Sequence, residues 1–413
     1  MATIKGFKGI RPAKKYEKDV PALPYDVVSS DEAREMVKDK PYSFLHVDKA
    51  EIDLDKSIDI YDDRVYEKAN ENFLSMINNG ILIQDKEDCL YIYELTMNGR
   101  SQTGLVVCTS IDEYIDGTIK KHELTREDKE QDRIRHVDTL NANTGPIFLA
   151  YKYNNDINGV IEDWKANHSC EYDFVTEEGT LQRAWIIDDK ATINKLVELF
   201  RNVKNLYIAD GHHRNASAVK VGLKRRKENP NYTGNEEFNY YLSVLFPDNQ
   251  LEILDYNRVI KDFNGLTKEQ FIEKLSEKFE VKKESGMFKP NKKHTFGFYT
   301  DKEWYSLTAK PEIVKDDVID GLDVSILQNE VLVPVLGIED IRTSKRIDFV
   351  GGIRGLKELE KRVDSGEMVG AFAMYPTSMA ELMAVADENK IMPPKSTWFE
   401  PKLQSGLFIH SLD

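Results

Sequence analysis

Cysteine is scarce. The 413-residue chain holds three, Cys89, Cys108 and Cys170. They are too few and too scattered for a disulfide framework or a CxxC zinc site. Proline and glycine are sparse as well, so no flexible linker marks a domain boundary. No apolar run approaches a membrane span, and the opening MATIKGFKGIRPAKKY lacks the apolar core of a signal peptide. A reducing cytoplasm is the expected compartment, with no membrane partner. No repeat of fixed period appears, which argues against a solenoid. Positive charge is in deficit: 57 Lys and Arg against 72 Asp and Glu give a net −15. That balance argues against nucleic acid bound across the whole surface, because phosphate neutralisation needs clustered cations. It leaves room for a local basic cleft. Also absent are GxxxxGK[ST], GxGxxG and HExxH, and Asp301, Asp316, Asp317 and Asp320 lack EF-hand spacing.

What remains is a folding composition, 40% hydrophobic and 31% charged, which excludes intrinsic disorder. The length predicts two or three domains. Ser30 ahead of Asp31 and Glu32 reads as a helix start. Val65, Ala69, Phe73, Met76 and Ile77 give helical spacing over 59–80. Strands are expected over 89–95 and 104–109, around the turn signal Asn98-Gly99. A helix is expected over 125–141, with Thr125 and Asp128 at capping-box spacing. A buried strand follows at 146–153. The clearest strand–turn–helix is Leu206 to Ala209, then Asp210-Gly211-His212-His213-Arg214, then a helix from Asn215. Strands are expected at 240–246 and 251–260. The pattern divides into an N-terminal α+β region over 1–205, the 206–261 core element, a small α+β insertion over 262–310, and an α/β segment over 311–413 that closes on the core. In the last segment strands at 347–350 and 369–375 alternate with helices at 356–363 and 379–386.

Three constellations carry chemistry. In Asp210–Arg214, Gly211 allows a tight turn or a close backbone approach. The helix that follows offers unpaired N–H groups to a phosphate. Arg214 can grip a phosphate in bidentate fashion. His212 and His213 can donate a proton, accept one or bind a metal. Asp210 can hold Mg²⁺ or accept a hydroxyl proton. The second constellation is Lys121-His122-Glu123-Leu124-Thr125, followed by Asp132-Arg133 and His136. Lys129, Arg133 and His136 share one side of a helix, where a solvated charged face is the expectation. The third is Met392 to Lys402, where Lys395 and Lys402 can meet anionic oxygens and Trp398 or Phe399 can stack. A segment laid over the core is an equal expectation there. The basic run Lys224-Arg225-Arg226-Lys227 reads as the cationic end of a helix rather than a nucleic-acid patch.

Several stretches in one order resemble a bacterial and archaeal family, domain of unknown function 1015, whose members are often labelled ParB-like or Spo0J-like. They are Leu23–Val28, Lys121–Thr125 with Asp132-Arg133, Ala142–Phe148, Ala209–Arg214 and Met392–Leu407. A looser resemblance extends to the ParB/sulfiredoxin superfamily, in which a Gly-x-x-Arg element at a helix start holds nucleotide phosphates. Gly211, His212, His213 and Arg214 match that element. Archaeal free-serine kinases of that superfamily carry a similar stretch. Relatives have a His where this chain has Asn257, before Arg258.

The resemblance implies an α+β or mixed α/β fold, with a ParB/sulfiredoxin-like nucleotide-binding core and additional α/β segments. It implies a nucleotide-dependent phosphotransferase (a kinase) acting on a small hydroxyl-bearing metabolite such as a free hydroxy-amino acid. ATP, ADP or CTP with Mg²⁺ would be the cofactor. Asp210, His212, His213 and Glu123 are the candidate catalytic residues. Gly211, Arg214, Arg133 and Lys395 are the candidate nucleotide contacts. The alternatives are a ParB-like regulatory or DNA-partitioning protein and a metal-dependent hydrolase using His122, His212 and His213.

Overall fold

Alternating and β-branched stretches in the first 250 residues build one large sheet in the computed structural model, which describes residues 1–413. The fold is mixed α/β. The chain divides into two compact units, Met1–Leu251 with Pro401–Asp413, and Glu252–Glu400. Of the four expected segments, 1–205 lies in the first unit and 262–310 in the second, while 206–261 and 311–413 each contribute to both.

The sheet of the first unit has nine strands. Its order runs Ile119–Lys120, Leu206–Asp210, Ile147–Tyr151, Tyr240–Pro247, Arg100–Ser110, Leu90–Met97, Leu181–Ile187 and Tyr172–Val175, with Ile4–Lys5 paired to Arg100–Ser110. Leu206–Asp210 runs parallel to Ile119–Lys120, and Tyr240–Pro247 runs parallel to Ile147–Tyr151; the other pairings are antiparallel. Alternation sorts the strand residues by face. Leu90, Ile92, Leu105 and Val107 pack with Ile157, Ile161 and Trp164 of the Asn155–Asn167 helix and with Leu196 and Phe200 of the Lys190–Phe200 helix. Tyr91 and Tyr93 point the other way, onto Phe408. A second core gathers Val65, Ala69, Phe73 and Met76 of the Asp63–Asn78 helix with Phe44, Leu45, Leu140 and Ile409.

The second unit holds a six-stranded sheet ordered Phe279–Glu284, Glu303–Ala309, Thr295–Thr300, Gly370–Ala373, Tyr256–Ile260 and Ile347–Gly351. Every pairing in it is antiparallel, although strands and helices alternate along the last hundred residues.

Local differences from the sequence reading have local causes. Ser29 rather than Ser30 caps the first helix, because Glu32 then closes a full capping box. Thr125 does not cap its helix. Arg126 takes that position, and Thr125 Oγ1 donates to Glu130 instead. The expected 251–260 strand is broken at Asp255. Ile253–Leu254 pairs with Trp398–Phe399, whereas Tyr256–Ile260 pairs with Ile347–Gly351. The helix after the DGHHR turn begins at His212, three residues early, so both histidines and Arg214 stand in its first turn.

Candidate functional site

The site grows from two neighbouring parallel strands. Ile119–Lys120 and Leu206–Asp210 end side by side, with Tyr207 opposite Lys120. Carboxyl ends of parallel strands are where α/β sheets expose ligand-binding loops. The chain beyond the first strand delivers His122 and Glu123, and the chain beyond the second delivers Gly211 and His212. An irregularity in the pairing of Leu206–Asp210 with Ile147–Tyr151, between Ile208 and Asp210, re-aims Asp210 at the strand's end. Gly211 then turns the chain at φ +90°, a conformation side-chain-bearing residues avoid. A Cβ there would also lie 3.2 Å from the Arg214 guanidinium. The helix has no side-chain cap and no acid in its first turn, leaving its N-terminus free for an anion.

Arg214 is the hinge of the arrangement. Its Nη1 donates to the Pro146 carbonyl at 2.7 Å, and its Nη2 lies 3.5 Å from Asp210 Oδ2. Its Nε is buried without a partner. One side of Arg214 faces a small, open cleft. The wall opposite comes from the Glu127–Leu140 helix, which packs against the His212–Glu228 helix. Arg133 and His136 line that wall, and Asp48, Thr144 and Gly145 close it. The charged side of the Glu127–Leu140 helix is therefore not solvated as expected. Glu130, Asp132, Arg133 and His136 are all buried. Arg133 donates to Asp132 at 2.9 Å, Tyr66 donates to the other Asp132 oxygen at 2.8 Å, and the Tyr25 ring covers the guanidinium at 3.9 Å. Burial opposes the Arg133 charge, but Asp132 outweighs it and holds the group firmly cationic. Burial pushes His136 down, and the Arg133 charge adds to that. Thr144 donates to Asp48 at 2.9 Å, which fixes the loop opposite. Two arginines thus face one small cleft, a recognition set for phosphate oxygens.

A second cluster surrounds Asp210, beside Arg214. Lys402 Nζ is 3.8 Å from Asp210 Oδ2. Burial works to raise the Asp210 carboxyl, but the charges of Lys402 and Arg214 bring it below the usual carboxylate range. His212 packs edge-on against His122, with ring centroids 4.6 Å apart, and His212 Nδ1 lies 3.9 Å from Glu123 Oε2. Burial pushes His122 down to about 4; the backbone of Ile208 and the charge of Asp210 offset part of the shift. Neither ring nitrogen of His122 makes a hydrogen bond of good geometry, and His212 Nε2 is likewise unpartnered. Burial lowers His212 well below its ordinary value, and His122 adds to that. Both imidazoles are neutral at pH 7.

Five of the sequence candidates gather here: Asp210, Gly211, His212, Arg214 and Glu123, with Arg133 across the cleft. His213 turns elsewhere. Its Nε2 accepts the Arg126 N–H at 3.1 Å and anchors the 121–126 loop. Lys395 belongs to the second unit, where its carbonyl accepts from Arg258 at 2.9 Å and its ammonium sits 5.7 Å from the Tyr256 ring centre. Asn257 is buried in that unit between Asp255 and the Met374 N–H. Burial lowers Arg258 to about 10. The basic run is engaged in ion pairs: Lys224 and Arg225 with Asp138, Arg226 with Asp112. Tyr25, Asp48 and Thr144 enter the site without having been singled out, whereas Lys402 was read from the sequence as a contact for anionic oxygens. Tyr25, Thr144 and Lys402 lie in the stretches that carry the family resemblance, whereas Asp48 has no local signal.

The chain belongs to the family DUF1015, described as protein of unknown function, whose model matches residues 4–325. No curated protein matches it. Three solved structures are similar to it in outline. One is a free serine kinase in complex with AMP, 15% identical, covering 71% of this chain and 86% of that one at a TM-score of 0.35. Another is SbnI with a C-terminal truncation from Staphylococcus aureus, 10% identical, covering 73% and 85% at 0.38. The third is a conserved hypothetical protein from Pyrococcus furiosus, 16% identical, covering 73% and 93% at 0.36. No helix of the chain is long and apolar enough to cross a membrane.

Proposed function

We propose that the protein is a nucleotide-dependent phosphotransferase that phosphorylates a small hydroxyl-bearing metabolite, such as a free hydroxy-amino acid. The observation that carries this reading is the pair Arg133 and Arg214, which line one cleft from two packed helices. The unpartnered Arg214 Nε marks a buried donor waiting for an acceptor. The nucleotide phosphates would lie across these two guanidinium groups, and Gly211 would let the backbone approach them. Mg²⁺, entering with ATP, ADP or CTP, would neutralise phosphate charge.

Asp210 would accept the proton of the substrate hydroxyl as its oxygen bonds to the terminal phosphorus. The bond to the bridging oxygen breaks, and the nucleotide leaves one phosphoryl group shorter. Lys402 and Arg214 keep Asp210 anionic and so ready to accept. His212 would face the transferred group, and Glu123 stands beside it. Such catalysis is positioning and electrostatic stabilisation rather than covalent chemistry. A ParB-like DNA partner finds less support, because Lys224, Arg225 and Arg226 of the basic run are already paired with Asp138 and Asp112.

The test is product formation. The protein is incubated with ATP, ADP or CTP and a panel of hydroxy-amino acids, and phosphorus NMR follows the mixture. A new phosphate-monoester signal is expected, reduced at least about tenfold in Arg214→Lys, which keeps the charge but loses the planar fork. No turnover with any nucleotide and hydroxyl acceptor would remove the reading.

A further inference from the structure

We propose that His122, Glu123 and His212 form a binding site for one divalent transition-metal ion. One ligand atom from each side chain lies within 4.8 Å of the other two. The His212 Nδ1 to Glu123 Oε2 separation is 3.9 Å. Around a tetrahedral ion with bonds near 2 Å, neighbouring ligand atoms stand roughly 3.3 Å apart. Closing the cluster asks its ligand atoms to approach by at most about 1.5 Å, and Glu123, whose side chain is 39% exposed on a loop, is the one best placed to move.

The two histidines are already fixed. His122 follows the end of an edge strand, and His212 is the first residue of a seventeen-residue helix. Their rings stand at 89° to each other. Both are buried; His212 Nε2 lacks a hydrogen-bond partner, and the His122 ring nitrogens make none of good geometry, only a weak approach to the Ile208 backbone. Buried polar atoms are nearly always satisfied, and each neutral imidazole carries one lone-pair nitrogen, so two adjoining rings short of partners leave room for a single electron-pair acceptor shared between them.

The donor set selects the metal. Two imidazoles and one carboxylate suit Zn²⁺, Mn²⁺, Fe²⁺ or Co²⁺, whereas Mg²⁺ prefers oxygen alone and octahedral geometry. Three protein ligands leave at least one position open for water or a substrate oxygen. With the ion bound, Glu123 is a ligand, and Asp210 remains the carboxylate able to accept a proton. The nucleotide reading gives His212 and Glu123 places near the transferred group, but none of the three ligands lines the cleft of Arg133 and Arg214, so the ion can be tested by itself.

The test uses the full chain without an affinity tag, stripped with chelator and titrated with ZnCl₂, MnCl₂ or MgCl₂ in the absence of nucleotide. One Zn²⁺ per chain is expected, with Mn²⁺ competing and Mg²⁺ failing to compete. Co²⁺ should give the visible absorption of a low-coordinate nitrogen–oxygen site. Glu123→Gln should weaken Zn²⁺ binding at least about tenfold, and His212→Ala should abolish it. Circular dichroism checks the fold of each variant; Glu123→Gln, on an exposed loop, keeps the test valid if His212→Ala does not fold. Absence of stoichiometric Zn²⁺, displacement of Zn²⁺ by equal Mg²⁺, or undiminished binding in Glu123→Gln would overturn the proposal. Because no nucleotide is present, failure here is distinguishable from failure of phosphotransfer.

Discussion

Gly211 holds a left-handed backbone beside a guanidinium group, and no other residue type fills that position without strain. Gly211→Ala is expected to cost about 1–2 kcal/mol from backbone conformation alone. It should also push Arg214 away from Asp210 and Pro146. Urea unfolding measures the first effect, and nucleotide-induced thermal stabilisation measures the second. A variant as stable as the parent would contradict the assignment of Gly211. Residue type and order made this turn legible in the sequence: an apolar strand, then Asp-Gly, then two histidines and an arginine. Spacing could not reveal that His213 faces away, because its orientation depends on the Arg126 N–H brought in by another loop.

The Glu127–Leu140 helix shows what periodicity alone leaves open. Its charged side looks solvated on a helical wheel, but it is sandwiched between the Asp63–Asn78 and His212–Glu228 helices. Hidden in the sequence was the second set of polar partners, Tyr25, Tyr66 and Asp48, supplied from sixty or more residues upstream. Buried and surface pairs on these helices should behave differently. Asp132→Asn weakens a buried pair with Arg133 and leaves that cation undercompensated, an expected loss of up to about 3–5 kcal/mol. Lys224→Ala removes a solvent-facing contact to Asp138 and should change stability by less than about 1 kcal/mol. Paired urea titrations decide this, and equal effects would mean that the buried pair is not the keystone of the cleft wall. Strands and helices with unbroken apolar periodicity, such as 206–209 and 59–80, were readable because burial on one face dictates their pattern. The break at Asp255 was not, since it reflects a change of pairing partner between Phe399 and Gly351.

At the scale of the whole molecule, the two units carry different chemistry. The candidate site lies in the first. The second contains a buried carboxyl, Asp323, which accepts the His294 backbone N–H at 3.0 Å and faces His294 Nδ1 at 3.1 Å. Burial pushes Asp323 up to about 7, with Glu381 adding to the shift and the His294 N–H and Lys293 opposing it. The folded state therefore holds a proton that the unfolded chain has already released above about pH 4. Its contribution to stability is complete below pH 4 and is lost as pH rises towards about 7. The expected slope is at most about 1.4 kcal/mol per pH unit, and Asp323→Asn should flatten it. Stability curves between pH 4 and 8 for the parent and Asp323→Asn check the sign.

Two arginines that meet an anion in one cleft are the centre of the proposed chemistry. Calorimetric titration of the intact protein with ADP and ATP, with and without Mg²⁺, addresses that most directly. It predicts saturable one-to-one binding that falls by about 1.5–3 kcal/mol, the usual worth of a charge-assisted hydrogen bond, when Arg214 is replaced by lysine. Binding unchanged in Arg214→Lys, or no heat with any nucleotide, would contradict it.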